Sequence, residues 1–556
     1  MADKSKPVRL SDADQLREKV QELNAFYKAG NLSLLVGAGV SKGSGLPGWS
    51  DLNLSLLEGY LRSRPDAQRY SASGIKQLAQ DLYAALGRDA TADFASEDQT
   101  AFLGLLRESL YGGRAVETFP VRSIQRQIAA MAIGLKDDGF RTEDPFVYTT
   151  NFDPLIEMAI ERAVTGTGRS SDRWRDYRLP LAKSQRKKSP GLLGVQHLHG
   201  WVDPPGTGGG RPSVGGTLVI TETHYMELLR QQSAEPNRQA EDLLGGERAI
   251  LIVGMSLLDP NIRRLLYRRR VDRLRTGGDD VYLVLREKDT ALDRHLVEYW
   301  NSWKITALIV DEFDEIPFLL RNVQWGDMEH SPWISRSVEW LDDQLGDSEV
   351  FSDEWQRKAC WILRELVDYI YTYFGLPYEE TVNTALYLPI DQPEDGPAVI
   401  RQVANSRELR WGRDARRFAE SRTLIVDFDH EQGMAGRSFL LGYATGVVND
   451  GEGINLRFTD DMLKAWQYGD SPRDWRSILT VPVLDSKMWL PVAVISLTSN
   501  LPTPFWERFS PATEDERAKL RASMRRAAKR IISTDLEVPL ELFEGELGEE
   551  DETHEA

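Results

Sequence analysis

The chain has 556 residues, 41% hydrophobic and 28% charged, with a formal net charge of −18 and one cysteine, Cys360. That length exceeds a single core and calls for two or three domains, most of them folded. The acidic balance argues against general nucleic-acid or anionic-membrane binding, and one cysteine excludes an intramolecular disulfide framework and any Cys-rich zinc site.

The N-terminus has no apolar secretory segment, and the longest apolar run, Ala249–Leu258, is half the length of a membrane span, so a cytoplasmic protein is expected. Residues 31–40 predict a buried strand running into a tight glycine turn. Helical periods follow at Leu52–Leu61, Ile75–Leu86, Ala101–Leu110 and Ile124–Ile133. Strand signals return at Phe146–Thr150, Gly194–Leu198, Thr217–Ile220, Ala249–Val253, Asp280–Leu285 and Ile305–Val310, with helices at Leu155–Ala163 and Asn261–Leu274 between them. This alternation implies a Rossmann-like α/β domain with a largely parallel sheet, and the stretch 52–135 reads as an inserted helical cap.

A polar linker is expected at 331–352, ending the first domain, 12–330. Beyond it a helix, Trp355–Phe374, opens a C-terminal α+β domain, 353–535, with strands at Ala385–Ile390, Thr423–Phe428, Ser477–Leu484 and Leu490–Thr498 and a last helix, Asp515–Ile531. Residues 537–556 read as an acidic disordered tail.

Three polar groups sit directly behind apolar runs, where the carboxyl ends of strands in an α/β sheet place ligand-binding residues. They are Gly37-Ala38-Gly39-Val40-Ser41, Thr149-Thr150-Asn151-Phe152-Asp153 and His197-Leu198-His199-Gly200. The first suits a phosphate turn, because its glycines admit close backbone approach. It is neither a P-loop nor a complete dinucleotide fingerprint: Lys42 is followed by glycine and stands where a third glycine belongs.

Taken together, these strings resemble the sirtuin family. Gly37–Ser41 with Gly45-Leu46-Pro47-Gly48-Trp49 resembles the opening of sirtuin-like NAD-binding domains, and Asn151-Phe152-Asp153 their Asn-x-Asp motif. Leu198-His199-Gly200 is similar to their catalytic histidine motif, and Gly254-Met255-Ser256-Leu257-Leu258-Asp259-Pro260 to the loop at the adenosine side of NAD. The resemblance covers residues 12–325 and is nearest the bacterial sirtuin-like NADases of phage defence.

It implies NAD as substrate and cleavage of the nicotinamide–ribose bond through a cationic ribose. In that reading Asn151 orients a ribose hydroxyl or water and His199 accepts a proton. Gly37, Ala38, Gly39, Ser41, Asp153, Gly254 and Ser256 hold the dinucleotide. Protein-deacylating sirtuins carry four zinc-binding cysteines, which this chain cannot supply, so no zinc is expected and hydrolysis is favoured over deacylation. The rivals are a non-catalytic NAD or ADP-ribose sensor and, behind it, an NAD-dependent deacylase.

Other residues keep two readings. His197 should share a face with His199 on an extended segment and acts directly or packs the core. His224 and His295 read as structural or exposed, and the basic run Arg173–Lys188 as a solvated loop rather than a phosphate site. Arg263, Arg264 and Arg268–Arg270 read as oligomer contacts or a solvated helix face. Gly433-Met434-Ala435-Gly436-Arg437-Ser438, the strand Arg476–Val483 and the strand Val492–Thr498 resemble a GAF domain over about 353–535. That resemblance implies a small-molecule sensor or a dimerisation unit, hence a homo-oligomer and a small-molecule or phage-derived trigger. Trp355–Phe374 serves either as a dimer seam or as a helix buried in the same chain.

Overall fold

The computed structural model describes residues 8–9, 13–65, 67–86, 99–115, 118–119, 121–137, 146–166, 195–205, 214–215, 218–231, 235–245, 248–257, 259–276, 280–286, 291–310, 313–326, 332–345, 352–377, 379–389, 399–406, 423–425, 433–442, 445–448, 477–485, 490–501 and 514–532. The basic run 173–188 and the acidic tail 537–556 lie outside them. The chain divides into two compact units, one up to Ile316 and one from Pro317 onward.

In the first unit, strands β1 (Val8–Arg9), β2 (Leu32–Val36), β3 (Val147–Thr149), β4 (Val195–His197), β7 (Ala249–Val253), β8 (Val281–Arg286) and β9 (Thr306–Val310) form a seven-stranded sheet in the order β1-β9-β8-β7-β2-β3-β4. Every pairing in it is parallel. β2 and β7 are buried at every residue, which accounts for the continuous apolar run of β7 and for a β2 that is apolar at all but Ser33. Helices Glu235–Gly245, Pro260–Thr276 and Ala291–Ser302 supply Leu243, Leu265 and Trp300 to a core against Ile250, Ile252 and Leu283. Where the sequence suggested a cap, helices run over Trp49–Ser63, Ala72–Leu86, Gln99–Tyr111 and Ser123–Asp137.

The expected strand at Thr217–Ile220 is corrected. Its described residues form no strand: the Val219 N–H donates to the His199 carbonyl at 3.1 Å. Thr221 directly after it caps the helix Glu222–Arg230, accepting the His224 N–H, while the His224 side chain accepts the Thr221 N–H. The reciprocal cap outweighs the short β-branched run. A two-stranded ribbon of β5 (Trp201–Val202) and β6 (Val214–Gly215) lies outside the main sheet.

In the second unit an antiparallel sheet has the order β12-β11-β10-β15-β14-β13: Thr423–Ile425, Val399–Asn405, Val382–Pro389, Pro491–Ser499, Ser477–Leu484 and Thr445–Val448. The helix Asp353–Phe374 is capped at Ser352, whose Oγ accepts the Trp355 N–H, and stops at the left-handed Gly375. Its apolar face (Leu363, Leu366, Ile370) packs with Met524 and Ile531 of the helix Glu514–Ile532 over Leu386, Val492 and Ile495. That face is therefore covered within its own unit, and Trp361 is left 63% exposed. Most of the span 331–352 is a helix, Pro332–Leu345, whose Trp333 is fully buried beside Phe439. The string Gly433–Ser438 lies in a helix, Gly433–Leu441.

Candidate functional site

The sheet reverses direction of growth between β2 and β7. From β2 the chain builds outward through β3 and β4, then returns to build β7, β8 and β9 on the other side. Ligand crevices of open α/β sheets form outside the carboxyl ends of the strands at such a switch point. Here that point is where Gly37-Ala38-Gly39 meets Gly254.

The Gly37 N–H donates to the Val253 carbonyl at 3.0 Å and the Gly39 N–H to the Gly254 carbonyl at 2.8 Å. A Cβ on Gly37 would stand 2.6 Å from the Gly254 oxygen, and one on Gly39 2.8 Å from it. Gly254 has φ +66, and its own Cβ would stand 2.8 Å from the Val40 nitrogen. The glycines thus let two strand ends touch backbone to backbone, a close approach that any side chain would block. The turn continues into a single helical turn, Gly39–Lys42, pinned by the fully buried Gln125. Gln125 Nε2 donates to the Val40 carbonyl at 3.1 Å and to Ser44 Oγ at 3.0 Å.

On the adjacent strand, Thr149 Oγ1 donates to the Val36 carbonyl (3.1 Å) and accepts the Asn151 N–H (3.0 Å). Asn151 Nδ2 donates to Ser41 Oγ at 3.1 Å, and Ser41 Oγ donates to Asp153 Oδ1 at 3.0 Å. One hydroxyl proton fixes this direction: it goes to the carboxylate, so the serine oxygen must accept from the amide. Asn151 Oδ1 is left buried with no hydrogen-bond partner among the described residues. Asp153 also accepts the Leu155 N–H at 3.2 Å. Burial raises its carboxyl to about 6; Glu157 adds to the rise, and the Ser41 and Leu155 hydrogen bonds and His197 oppose it.

His197 and His199 part company. His197 ends β4, and the chain turns at Leu198-His199, so the alternation expected of an extended segment stops between them. His197 contacts the Asn151 carbonyl through Nδ1 (2.7 Å) and Glu157 Oε1 through Nε2 (2.6 Å). His199 stands edge-on to the Tyr225 ring, its Nε2 3.2 Å from Asp259 Oδ2. Asp259 accepts the Tyr225 hydroxyl at 2.7 Å through Oδ2 and the Ile262 N–H at 2.9 Å through Oδ1, the capping bond of the helix Pro260–Thr276.

These groups surround one cavity of about 300 Å³. It brings together all nine residues singled out from the sequence: Asn151 and His199 with Gly37, Ala38, Gly39, Ser41, Asp153, Gly254 and Ser256. His197 is not among its lining residues. Sequence reasoning missed Asp259, Tyr225 and Lys42, which also line it. Asp259 was legible as an Asp-Pro helix start, and Lys42 as the only residue of the turn with a fixed positive charge. Trp49 and Leu52 from the first cap helix, and Leu110 from the third, close the side away from the sheet, with Trp49 stacked on Phe152 at 5.8 Å. This apolar lid and polar floor suit a ligand with an aromatic end and hydroxyl groups.

Arginines on the helix Pro260–Thr276 are engaged within the first unit. Arg269 pairs with Asp280 at 2.7 Å, Arg264 with Asn237 and Asn261, and Arg268 with Glu241. Among the described residues no group of three His, Cys, Asp or Glu is placed to hold a metal ion, and no helix is long and apolar enough to cross a membrane. Cys360 is a buried free thiol in the second unit.

No curated protein matches the chain. Residues 145–308 match a protein-family model described as a SIR2-like domain. The match runs from the start of β3 into β9 and takes in Asn151, Asp153, His199, Gly254 and Asp259; the glycine turn Gly37–Ser41 lies outside it. The first unit therefore carries a sirtuin-like domain, a class that uses NAD, on a Rossmann-like parallel sheet.

Proposed function

We propose that the first unit hydrolyses NAD at the nicotinamide–ribose bond, giving nicotinamide and ADP-ribose. One observation carries the reading: Asn151 Oδ1 is a buried acceptor without a partner among the described residues, on the wall of the same cavity as His199 and Asp259. A buried polar atom left unsatisfied costs about 1–3 kcal/mol, so its retention points to a ligand donor.

In the reaction the C–N bond to nicotinamide breaks and its electron pair leaves with the ring nitrogen. A water oxygen bonds to the ribose carbon and gives up a proton. Asn151 Oδ1 accepts a hydrogen bond from a ribose hydroxyl or from that water, fixing it without taking charge. His199 accepts the proton, and the Asp259 carboxylate beside Nε2 stabilises the imidazolium that results. The glycine turn offers backbone to the pyrophosphate, and Lys42 supplies positive charge there. Trp49, Phe152 and Leu110 keep bulk water from the apolar end.

In the same proposal the second unit is a GAF-like sensor or dimerisation module that holds the hydrolase inactive in a homo-oligomer until a small-molecule or phage-derived signal arrives. Unchecked hydrolysis would exhaust the cell's NAD, which fits an anti-phage effector that kills its host. The support is the attached antiparallel α+β unit itself and the GAF-like strings within it.

The test is nicotinamide release by the purified chain, with and without extract of phage-infected cells. Release lowered at least about 100-fold, to a residual rate, in Asn151→Ala and in His199→Ala is expected. Absence of release under both conditions, or release indifferent to both substitutions, overturns the proposal. Dinucleotide binding without release would make the unit a sensor, and release that requires an acyl peptide would make it a deacylase.

A further inference from the structure

We infer that Glu157 and His197 are positioning residues, a buried ion pair that holds the Asn151 main chain so that its side chain aims one acceptor into the cavity. The rate predictions below rest on the proposed hydrolysis; the ion pair itself does not.

Asn151 has four polar groups, and the protein engages three. Its N–H goes to Thr149 Oγ1 at 3.0 Å, its carbonyl meets His197 Nδ1 at 2.7 Å, and its Nδ2 goes to Ser41 Oγ at 3.1 Å. Only Oδ1 remains. His197 makes its contact from the end of β4, and Glu157 approaches from the first turn of the helix Leu155–Gly166. The clamp therefore ties two elements to the residue between them.

Both neighbours of the His197 ring are acceptors, a carbonyl and a carboxylate. A neutral imidazole has one N–H and would turn a lone pair toward one of them at 2.6–2.7 Å. The contacts are satisfied when both nitrogens carry hydrogen, as imidazolium facing carboxylate. Burial alone would lower the His197 pKa, but the Glu157 charge, its hydrogen bond, the Asn151 carbonyl and Asp153 together turn the shift upward. The groups facing the pair are Asp153 and Tyr111, whose hydroxyl is pushed well up by burial and by Asp153 and Glu157 and donates to the Val202 carbonyl at 2.8 Å. His197 is 6% exposed and Glu157 7%, and Glu157 Oε2 has no hydrogen-bond partner among the described residues. A buried ion pair seldom stabilises a fold more than apolar residues of the same volume would. Its place directly under Asn151 is explained by the direction it imposes.

The experiment is a double-mutant cycle on nicotinamide release with the full-length chain. His197→Ala is expected to lower kcat about 100-fold with KM changed less than about threefold, the scale of a 1 Å misplacement. In an Asn151→Ala background the same substitution should lower the rate no further. Glu157→Ala should lose kcat in the same way, and Glu157→Gln should recover most of it, since a neutral imidazole can donate to Asn151 and accept from the glutamine amide. A merely structural role predicts equal losses in both backgrounds and no rescue, and that result overturns the inference.

A readout without substrate is the ¹³C spectrum of histidine-labelled protein at pH 7.5, where a free imidazole is about nine-tenths neutral. One imidazolium signal should be present, vanish in His197→Ala and turn neutral in Glu157→Gln. A neutral ring in the wild type overturns the ion pair. If the wild type releases no nicotinamide, the proposed hydrolysis has failed, and the same cycle is read on NAD affinity by calorimetry, where additive losses overturn the positioning role.

Discussion

Asp153→Asn removes a buried charge at the cavity floor while leaving its shape, and it should make the first unit more stable and the site worse. The carboxyl is displaced from 3.8 to about 6, chiefly by burial. At about 1.4 kcal/mol per tenfold change, that displacement amounts to about 3 kcal/mol. The folded pKa is raised above the unfolded value, so the stabilising contribution is fully present below pH 3.8 and is lost as pH rises through about 6. The asparagine can still accept from Ser41 and Leu155 but carries no charge to bury. The stability difference between variant and wild type should therefore be about 0.5 kcal/mol at pH 4 and about half developed near pH 5. It should reach its plateau of about 3 kcal/mol above pH 7. Denaturant midpoints across that range measure it, with Trp49 stacked on Phe152 as a local fluorophore. Nicotinamide release should fall in the same variant, because the Ser41 hydroxyl loses an anionic acceptor and no longer has to accept from Asn151 Nδ2. A difference that stays flat from pH 4 to 8, or a variant less stable than wild type at pH 8, would refute the burial argument.

Two further substitutions probe the switch point. Gly254→Ala places a Cβ 2.8 Å from the Val40 nitrogen at φ +66, and should cost at least about 2 kcal/mol in the first unit and abolish NAD binding; an unchanged unfolding midpoint would contradict the backbone-contact account. Lys42→Ala removes the only Lys or Arg among the described cavity-lining residues, and should raise KM about tenfold with kcat within about twofold, read from initial rates of nicotinamide release; a fall in kcat at unchanged KM would place Lys42 in the chemistry instead.

Much of the first unit was legible because its strands are buried on both faces. Ala249–Val253 is an unbroken apolar run and Leu32–Val36 is interrupted only by the buried Ser33, and the residues behind such runs lie at strand ends. The helices Asp353–Phe374 and Glu514–Ile532 were equally plain from their periodicity. Val399–Asn405 was missed because Gln402 and Asn405 are buried in it and interrupt the apolar pattern, and the four-residue β13 is little longer than noise in the sequence, whereas β12 falls inside the strand expected at Thr423–Phe428. Thr217–Ile220 misled for the opposite reason, a β-branched run whose neighbours are used for a helix cap.

By itself the sequence determined which residues stand at the ends of strands, because a buried strand needs apolar side chains and a turn needs glycine or a polar cap. That placed the strings holding Asn151 and His199 among the candidates, and the resemblance to sirtuin-like domains singled out these two residues. It could not determine strand order, since β2 carries the same residues whichever strand lies beside it. Only the tertiary structure set β7 next to β2, which turned the glycines of two distant segments into one backbone contact and carried Asp259 to His199. It also separated the two histidines: pairing ends at His197 and the chain turns, so one ring faces Glu157 and the other the cavity. Side-chain direction is inherited along a strand, and beyond its last paired residue the surrounding packing sets it.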